Sequence, residues 1–403
     1  MKKFIYSLAL LLGATATLSS CSDDDDKKGA AVAVPETTFT AANGLQVTYS
    51  GEPVLGKTVI FTPSKETNQA TLKITSVLNL NDFSGSLPAA LQTNVPCFGL
   101  IPGEGETTLN VTLTEDKANP GTYTLSGNGA SPLCEYKYSG SVSTESLVLN
   151  ITDARLNITN ICGTWNLAPM EYDDMYELVS NPTHVVWQSS AKFDMMGFEL
   201  EPEGILQILF VMPMIEMNGQ DVDLATALTA VLKSVDFRED GNIVANYLNV
   251  ENPTAGYTFS PMNLAMYAPT SQNTMQVYLN PQAIIAAAAA DKTRAEGAID
   301  INNILGNVMA QVVPMFKDGV PMHYDLQGDN LTVYLGSDVL LPLLKENVLP
   351  LLKDQNLIDT LVGMIAQNPD MAAMAEMLPS LLQSAGAVIE GTTEMQIGLN
   401  FKK

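Results

Sequence analysis

Tryptophan, histidine and positive charge are all scarce in this 403-residue chain, and each scarcity closes off a class of function. The only two histidines, His184 and His323, sit among apolar neighbours in strand-like contexts, where an imidazole is structural rather than a ligand or base. Serine–histidine and histidine–metal enzymes are therefore disfavoured. Gly-x-Ser-x-Gly, His-Glu-x-x-His and Gly-x-x-x-x-Gly-Lys motifs are all missing, which removes the common hydrolase, zinc-protease and phosphate-loop readings. With 20 basic against 44 acidic residues and a net charge of −24, the chain lacks the cations that nucleic-acid binding requires, and anionic lipid would repel it. Trp165 and Trp187 are the only tryptophans, and both lie in strand contexts that suit a core better than an exposed platform for sugar rings. No Cys-x-x-Cys or Cys/His spacing suggests a metal, and no cofactor is implied. Beyond the N-terminus the longest apolar run, 205–215, is interrupted by Gln207 and Pro213 and falls short of the roughly 18 residues of a membrane span.

What is present begins at the N-terminus. Lys2 and Lys3 precede an apolar run over 4–12, and Leu18-Ser19-Ser20-Cys21 follows, which predicts a signal peptide over residues 1–20. The tetrapeptide resembles the lipobox of bacterial lipoproteins, which implies a diacylglycerol on Cys21 and membrane attachment through that lipid. Asp23, Asp24, Asp25 and Asp26 come next. Four consecutive carboxylates repel one another and make a solvated spacer, so residues 21–37 are read as a tether. In Bacteroidetes-type lipoproteins an acidic run at this position resembles an export signal to the outer face of the outer membrane. The expected address is the cell surface, with the periplasmic leaflet as the alternative.

Residues 38–160 are rich in Thr, Val, Leu, Tyr and Gly in short alternating runs, which predicts strands over 45–50, 57–61, 70–78, 107–113, 121–126, 135–141 and 146–151. Asn119-Pro120-Gly121 and the Gly127–Gly129 region are turns, because Gly and Asn tolerate positive φ and Pro presets its own. The expectation is an all-β antiparallel sandwich or barrel that folds on its own. Of Cys97, Cys134 and Cys162 one must stay unpaired in a monomer. Cys97 with Cys134 is the expected disulfide, the alternative being three free thiols buried as small hydrophobes.

Residues 161–403 differ in kind, because hairpins alternate with apolar helices. Hairpins are predicted over 235–247, turning at Asp240-Gly241 in a type I′ turn, over 322–335, turning at Gly328-Asp329, and between 263–267 and 274–279. Helices are predicted over 221–233, 281–290 and 299–316, with a helical tract over 337–384 capped at Ser337, Asn356 and Asn368 and interrupted at Pro342, Pro350 and Pro379. A closing strand or two follows over 386–401. Met371, Met374 and Met377 repeat at helical spacing with Leu378, Leu381 and Leu382. Such a stripe serves as core, or alternatively lines a cavity for an apolar guest.

Paired carboxylates are the one catalytic device the composition permits. Glu171, Asp173, Asp174 and Glu177 cluster, but among 44 acids such clusters arise on solvated faces. The loop 236–247 carries Asp236, Asp240 and Gly241 in a calcium-like spacing, yet Arg238 and Tyr247 replace the ligands such a loop needs.

Gly163-Thr164-Trp165 at the start of a β segment is similar to the first-strand motif of lipocalin-like, or calycin-like, barrels. Together with the lipobox and the hairpins, the chain resembles a family of Bacteroidetes surface lipoproteins with lipocalin-like regions. The resemblance implies an α+β protein: an all-β domain followed by a lipocalin-like antiparallel β domain with several inserted apolar helices. The expected role is a non-catalytic, lipid-anchored surface protein that binds an apolar molecule or a glycan or acts as a scaffold. The competing expectation is a carboxylate-based hydrolase acting on an extracellular polymer.

Overall fold

Alternation decides the first half. In β5 (Gln69–Asn79) Ala70, Leu72, Ile74, Ser76 and Leu78 are buried, and in β7 (Thr107–Glu115) Thr107, Leu109, Val111 and Leu113 are. That period of two puts one face of each strand inward. The structure is a computed structural model that describes residues 32–79, 94–175, 178–195, 197–212, 215–217, 220–249, 253–290, 313–353 and 372–403. It is mostly β, with sheets that are antiparallel but for one pair, and neither large sheet closes into a barrel.

The first half contributes β1 (Thr37–Thr40), β2 (Leu45–Tyr49), β3 (Glu52–Pro53), β4 (Lys57–Pro63), β5, β6 (Asn94–Cys97), β7, β8 (Tyr123–Ala130), β9 (Cys134–Val142) and β10 (Leu147–Leu156). Their order is β1-β4-β5-β7-β8-β9-β10-β2-β3, with β6 also on β5. β7 turns the sheet over: residues 107–112 pair with β5 and residues 113–115 with β8, so one strand serves two layers. β2 and β10 run parallel, a pairing between strands about a hundred residues apart that no local turn could set.

The second half contributes β11 (Gly163–Leu167), β12 (Glu171–Tyr172), β13 (Leu178–Ser180), β14 (Thr183–Ser189), β15 (Phe193–Met195), β16 (Phe198–Leu200), β17 (Ile215–Met217) and β18 (Gln220–Val222). It continues with β19 (Leu232–Phe237), β20 (Ile243–Leu248), β21 (Tyr257–Phe259), β22 (Ala265–Pro269), β23 (Thr274–Leu279), β24 (Val320–Gln327), β25 (Asn330–Leu335) and β26 (Thr392–Lys402). The large sheet runs β21-β20-β19-β11-β26-β25-β24-β23-β22, with β14 also on β26. β12-β13, β15-β16 and β17-β18 are separate small hairpins. The sheet curls until its ends approach, through a bridge between Asn242 and Met266 and the Tyr267 N–H on Gly241 O.

The three predicted hairpins are present, with one turn corrected. At 238–242 only Gly241 has positive φ (+87°), and Arg238 N–H bonds Asn242 O while Gly241 N–H bonds Arg238 O. A type I′ turn needs two positive-φ residues. This loop is instead a type I turn closed by a glycine bulge, which suits three linking residues. At 327–330 Gly328 alone is positive, the pattern of a two-residue type II′ turn.

The helix Pro281–Ala290 lies where predicted, while the helix Leu224–Val231 starts later than expected because Asp221 and Val222 belong to β18. Asp223 caps it, its carboxylate accepting from Thr226 N at 2.7 Å. Ser337 is not a cap: Gly336 holds that place, and the Ser337 hydroxyl instead donates to Met395 O and accepts from Met395 N. Helix continues beyond Pro342 as a π-helical segment, Leu343–Val348, and then Leu349–Leu352. A wider turn accommodates the missing proline N–H without ending the helix. The helix Ala372–Gly391 overruns the predicted closing strand, so β26 begins only at Thr392. Asn356 and Asn368 lie outside the described residues, as does most of 299–316. No described helix is long and apolar enough to cross a membrane.

The two large sheets divide between Leu156 and Gly163, yet one hydrophobic cluster runs through both, from Val34 and Tyr49 to Trp165, Tyr267 and Phe401. The expected Cys97–Cys134 disulfide is corrected here. All three described cysteines are free, with Cys97 in a small cluster beside Leu78 and Val95 and Cys134 in the main core. Burial pushes the Cys134 thiol up to about 11 and raises those of Cys97 and Cys162, so all three stay protonated as small apolar groups.

Candidate functional site

A cleft of about 760 Å³ opens beside β14, under the helices Pro202–Val211 and Leu224–Val231. β14 is held by seven residues of register against β26, from Thr183 on Leu399 to Ser189 on Thr392. Adjacent residues of a strand face opposite sides, so Thr183 and Val185 share one face and His184 takes the other. Met170, Tyr172, Leu178, Val185, Phe210 and Ala225 supply most of the lining, with Asn181, Thr183 and His184 as the other polar members. Among the described residues no Asp, Glu, Lys or Arg lines it.

The polar members are already occupied. Thr183 N and Oγ1 both donate to Asn181 Oδ1, at 3.0 and 2.9 Å, and Asn400 Nδ2 donates to the carbonyls of Asn181 and Thr183 at 3.0 Å each. Satisfied groups of this kind present an apolar surface to a guest, because little hydrogen-bonding capacity is left over. At the mouth, Tyr172 (53% exposed) and Leu178 (47%) flank the opening from the β12–β13 hairpin, and Met175 and Val179 are exposed on the same hairpin. Gly204 lines the cleft from the helix, and a Cβ added there would meet no atom within 4 Å.

The two histidines meet in one row across four strands: His184 of β14, Gly398 of β26, Tyr334 of β25 and His323 of β24 are mutual register partners. The Tyr334 ring contacts both imidazoles, at centroid distances of 5.1 and 5.4 Å. Gly398 makes this feasible, since a Cβ there would collide with Val333 O and Tyr334. His184 Nε2 bonds Gln396 Oε1 at 2.8 Å, and His323 Nε2 bonds Asp338 Oδ1 at 3.0 Å. Both rings are held by structural partners. Among the described residues no group of three or more His, Cys, Asp or Glu is arranged to hold a metal ion.

Of the acidic cluster, Glu171, Asp173 and Asp174 are exposed around the β12–β13 hairpin, and Glu177 lies outside the described residues. Asp173 Oδ1 accepts from Met175 N, and Glu171 lies 4.0 Å from Lys402. These are turn and surface roles. Cys21 and Asp23 to Asp26 lie outside the described residues, as does Met371, while Met374 and Met377 fall within the helix Ala372–Gly391 at positions whose side chains are not described.

The cleft itself escaped sequence reading. Its parts come from loops, the β12–β13 hairpin with strands of two and three residues, β14 and two helices, and no local period encodes which of these separate elements meet. Neither a family model, nor a curated protein, nor a solved structure matches this chain.

Proposed function

We propose that this chain is a lipid-anchored, surface-facing, non-catalytic binding protein that holds an uncharged apolar ligand in the cleft beside β14. The observation that carries the reading is a cavity of about 760 Å³ whose lining, among the described residues, has no ionisable group apart from the Tyr172 phenol and the engaged His184. Volumes of this size suit small molecules. Hydrolysis of a polymer by paired carboxylates would need two acids facing each other across the opening, and none lines it among the described residues. A lipocalin-like character for the second half is supported by the Gly163–Trp165 segment, by full burial of Trp165, and by the near meeting of the sheet ends.

Gly204→Leu tests binding with little disturbance of the fold, because the added Cβ meets no atom within 4 Å, the position lines the cleft, and leucine favours helix over glycine. Affinity for an environment-sensitive apolar dye should fall at least about tenfold, equivalent to about 1.4 kcal/mol, while the thermal midpoint holds or rises. Leu178→Asp should weaken the same dye by placing a charge at the mouth. Unchanged dye affinity in both variants would remove the cleft as the binding site.

Anchoring rests on the lipobox resemblance. Cys21→Ala should abolish incorporation of a fatty-acid label and release the protein from the membrane fraction. Retained labelling would place the lipid on another residue.

A further inference from the structure

Lys57 is a buried amine at the junction between the two halves. It begins β4, where the alternation Lys57, Val59, Phe61 puts it on the inward face, and it is 6% exposed. Its Nζ donates to Phe98 O at 2.9 Å and lies 5.2 Å from the centroid of the Phe98 ring. It lines an enclosed space between the halves, with Tyr49, Val54, Phe98 and Leu100 on one side and Asn263, Leu264, Met266, Tyr278 and Asn280 on the other.

An ammonium needs acceptors for three N–H groups, and one carbonyl and a ring face are what this site provides. The space measures about 10 Å³, room for at most one water, so a charge here cannot be hydrated in place. Asn263, 3% exposed, lines the same space, and its Oδ1 accepts no hydrogen bond among the described residues. The titratable groups facing Lys57 are the Cys97 thiol, from the neighbouring sheet row Lys57–Ser76–Cys97, and the phenols of Tyr49 and Tyr278. Among the described residues no carboxylate lines the space; Asp240 and Asp318 act on the phenols instead.

We propose that Lys57 makes the junction between the two halves proton-sensitive: the halves are fastened while the amine is neutral and loosen when it is charged. This does not depend on what the cleft binds. An exposed ion pair, Arg155 with Glu239 at 3.7 Å, also joins the halves, and beside Lys57 they are joined by neutral bonds, Asn280 Nδ2 to Leu55 O, Gln282 Nε2 to Val77 O and Phe98 N to Phe316 O. None of these neutral bonds gains from protonation, so the Phe98 carbonyl and ring and the Cys97 thiol are what offset the cost of the charge, and only in part.

Burial pulls the Lys57 ammonium down from 10.5 to about 7, with the Cys97 thiol opposing slightly. The unfolded or opened chain therefore binds the proton more tightly than the closed one. Stability of the junction rises with pH between about 7 and 10.5, and its deficit is complete below about 7.

The test is amide hydrogen exchange on the full mature chain at pH 6 and pH 9, with rates corrected for intrinsic exchange. Protection of the Phe98 and Asn263 amides, which bond across or beside the junction, should be at least about tenfold lower at pH 6 than at pH 9. In Lys57→Met it should be nearly independent of pH. A flat native profile, or an equal fall in Lys57→Met, overturns the proposal. Should Lys57→Met misfold, Lys57→Gln serves the same comparison, and an NMR titration of the native Lys57 side chain must show a midpoint well below 10; a midpoint near 10.5 overturns it independently.

Discussion

Trp165→Ala is expected to destabilise the protein by about 3 to 5 kcal/mol, the range for truncating a large buried aromatic. The ring is fully buried in the cluster shared by both sheets and sits on β11, which joins β19 to β26 at the middle of the second sheet. Its indole N–H donates to Ile161 O at 2.8 Å, in the segment linking the two halves, and Lys403 Nζ covers the ring at 4.7 Å. Alanine would thus open a cavity and leave the Ile161 carbonyl without its donor. Trp165→Phe keeps most of the volume but not the donor, so its cost should be smaller, about 1 to 3 kcal/mol. Urea denaturation followed by circular dichroism measures both, and Trp187 remains as a fluorescent reporter. A loss below about 1 kcal/mol for alanine would mean that the site collapses freely and that β11 is not central to stability.

Asn263 carries the second large effect. Its Nδ2 donates to the carbonyls of Tyr49, Glu52 and Pro53 at 3.1 to 3.3 Å, so one side chain from the second half holds the β2–β3 turn of the first. Its own N–H donates to the buried Asn242 Oδ1 at 2.7 Å. The backbone is left-handed, at φ +61°, which asparagine tolerates better than most residues. Asn263→Ala loses the amide and strains the dihedral, for a cost of about 3 kcal/mol. Asn263→Gly loses the amide alone and should cost about 1 kcal/mol less. Denaturant midpoints for the pair separate the two terms. Equal midpoints would show that the positive φ stores no strain, and near-native midpoints for both would remove Asn263 as a fastener between the halves.

Much of the fold was legible because local rules govern it. The seven predicted strands of the first half all occur, since alternation over five to eleven residues leaves one way to bury a face. Gly241 and Gly328 marked two hairpins because positive φ is needed at those points and glycine supplies it. Lys57 was also legible in principle: it shares parity with Val59 and Phe61, and a charged residue in phase with a buried row signals an internal amine. The sequence reading passed over it, because a lysine at the start of a strand reads as solvent-facing.

By itself the sequence determined the long strands of the first half, three hairpins of the second and the scarcity of catalytic groups, because each depends on composition or on neighbours within about a dozen residues. Tertiary structure alone decided three things. It paired β2 with β10 in parallel, joined both sheets through a single core, and brought Met170, Val185, Phe210 and Ala225 around one cleft. Each of these depends on how distant surfaces fit, which no periodicity encodes. The disulfide expectation failed for the same reason: Cys97 and Cys134 lie on strands that face separate apolar clusters, and only the packing of those strands sets which thiols could meet.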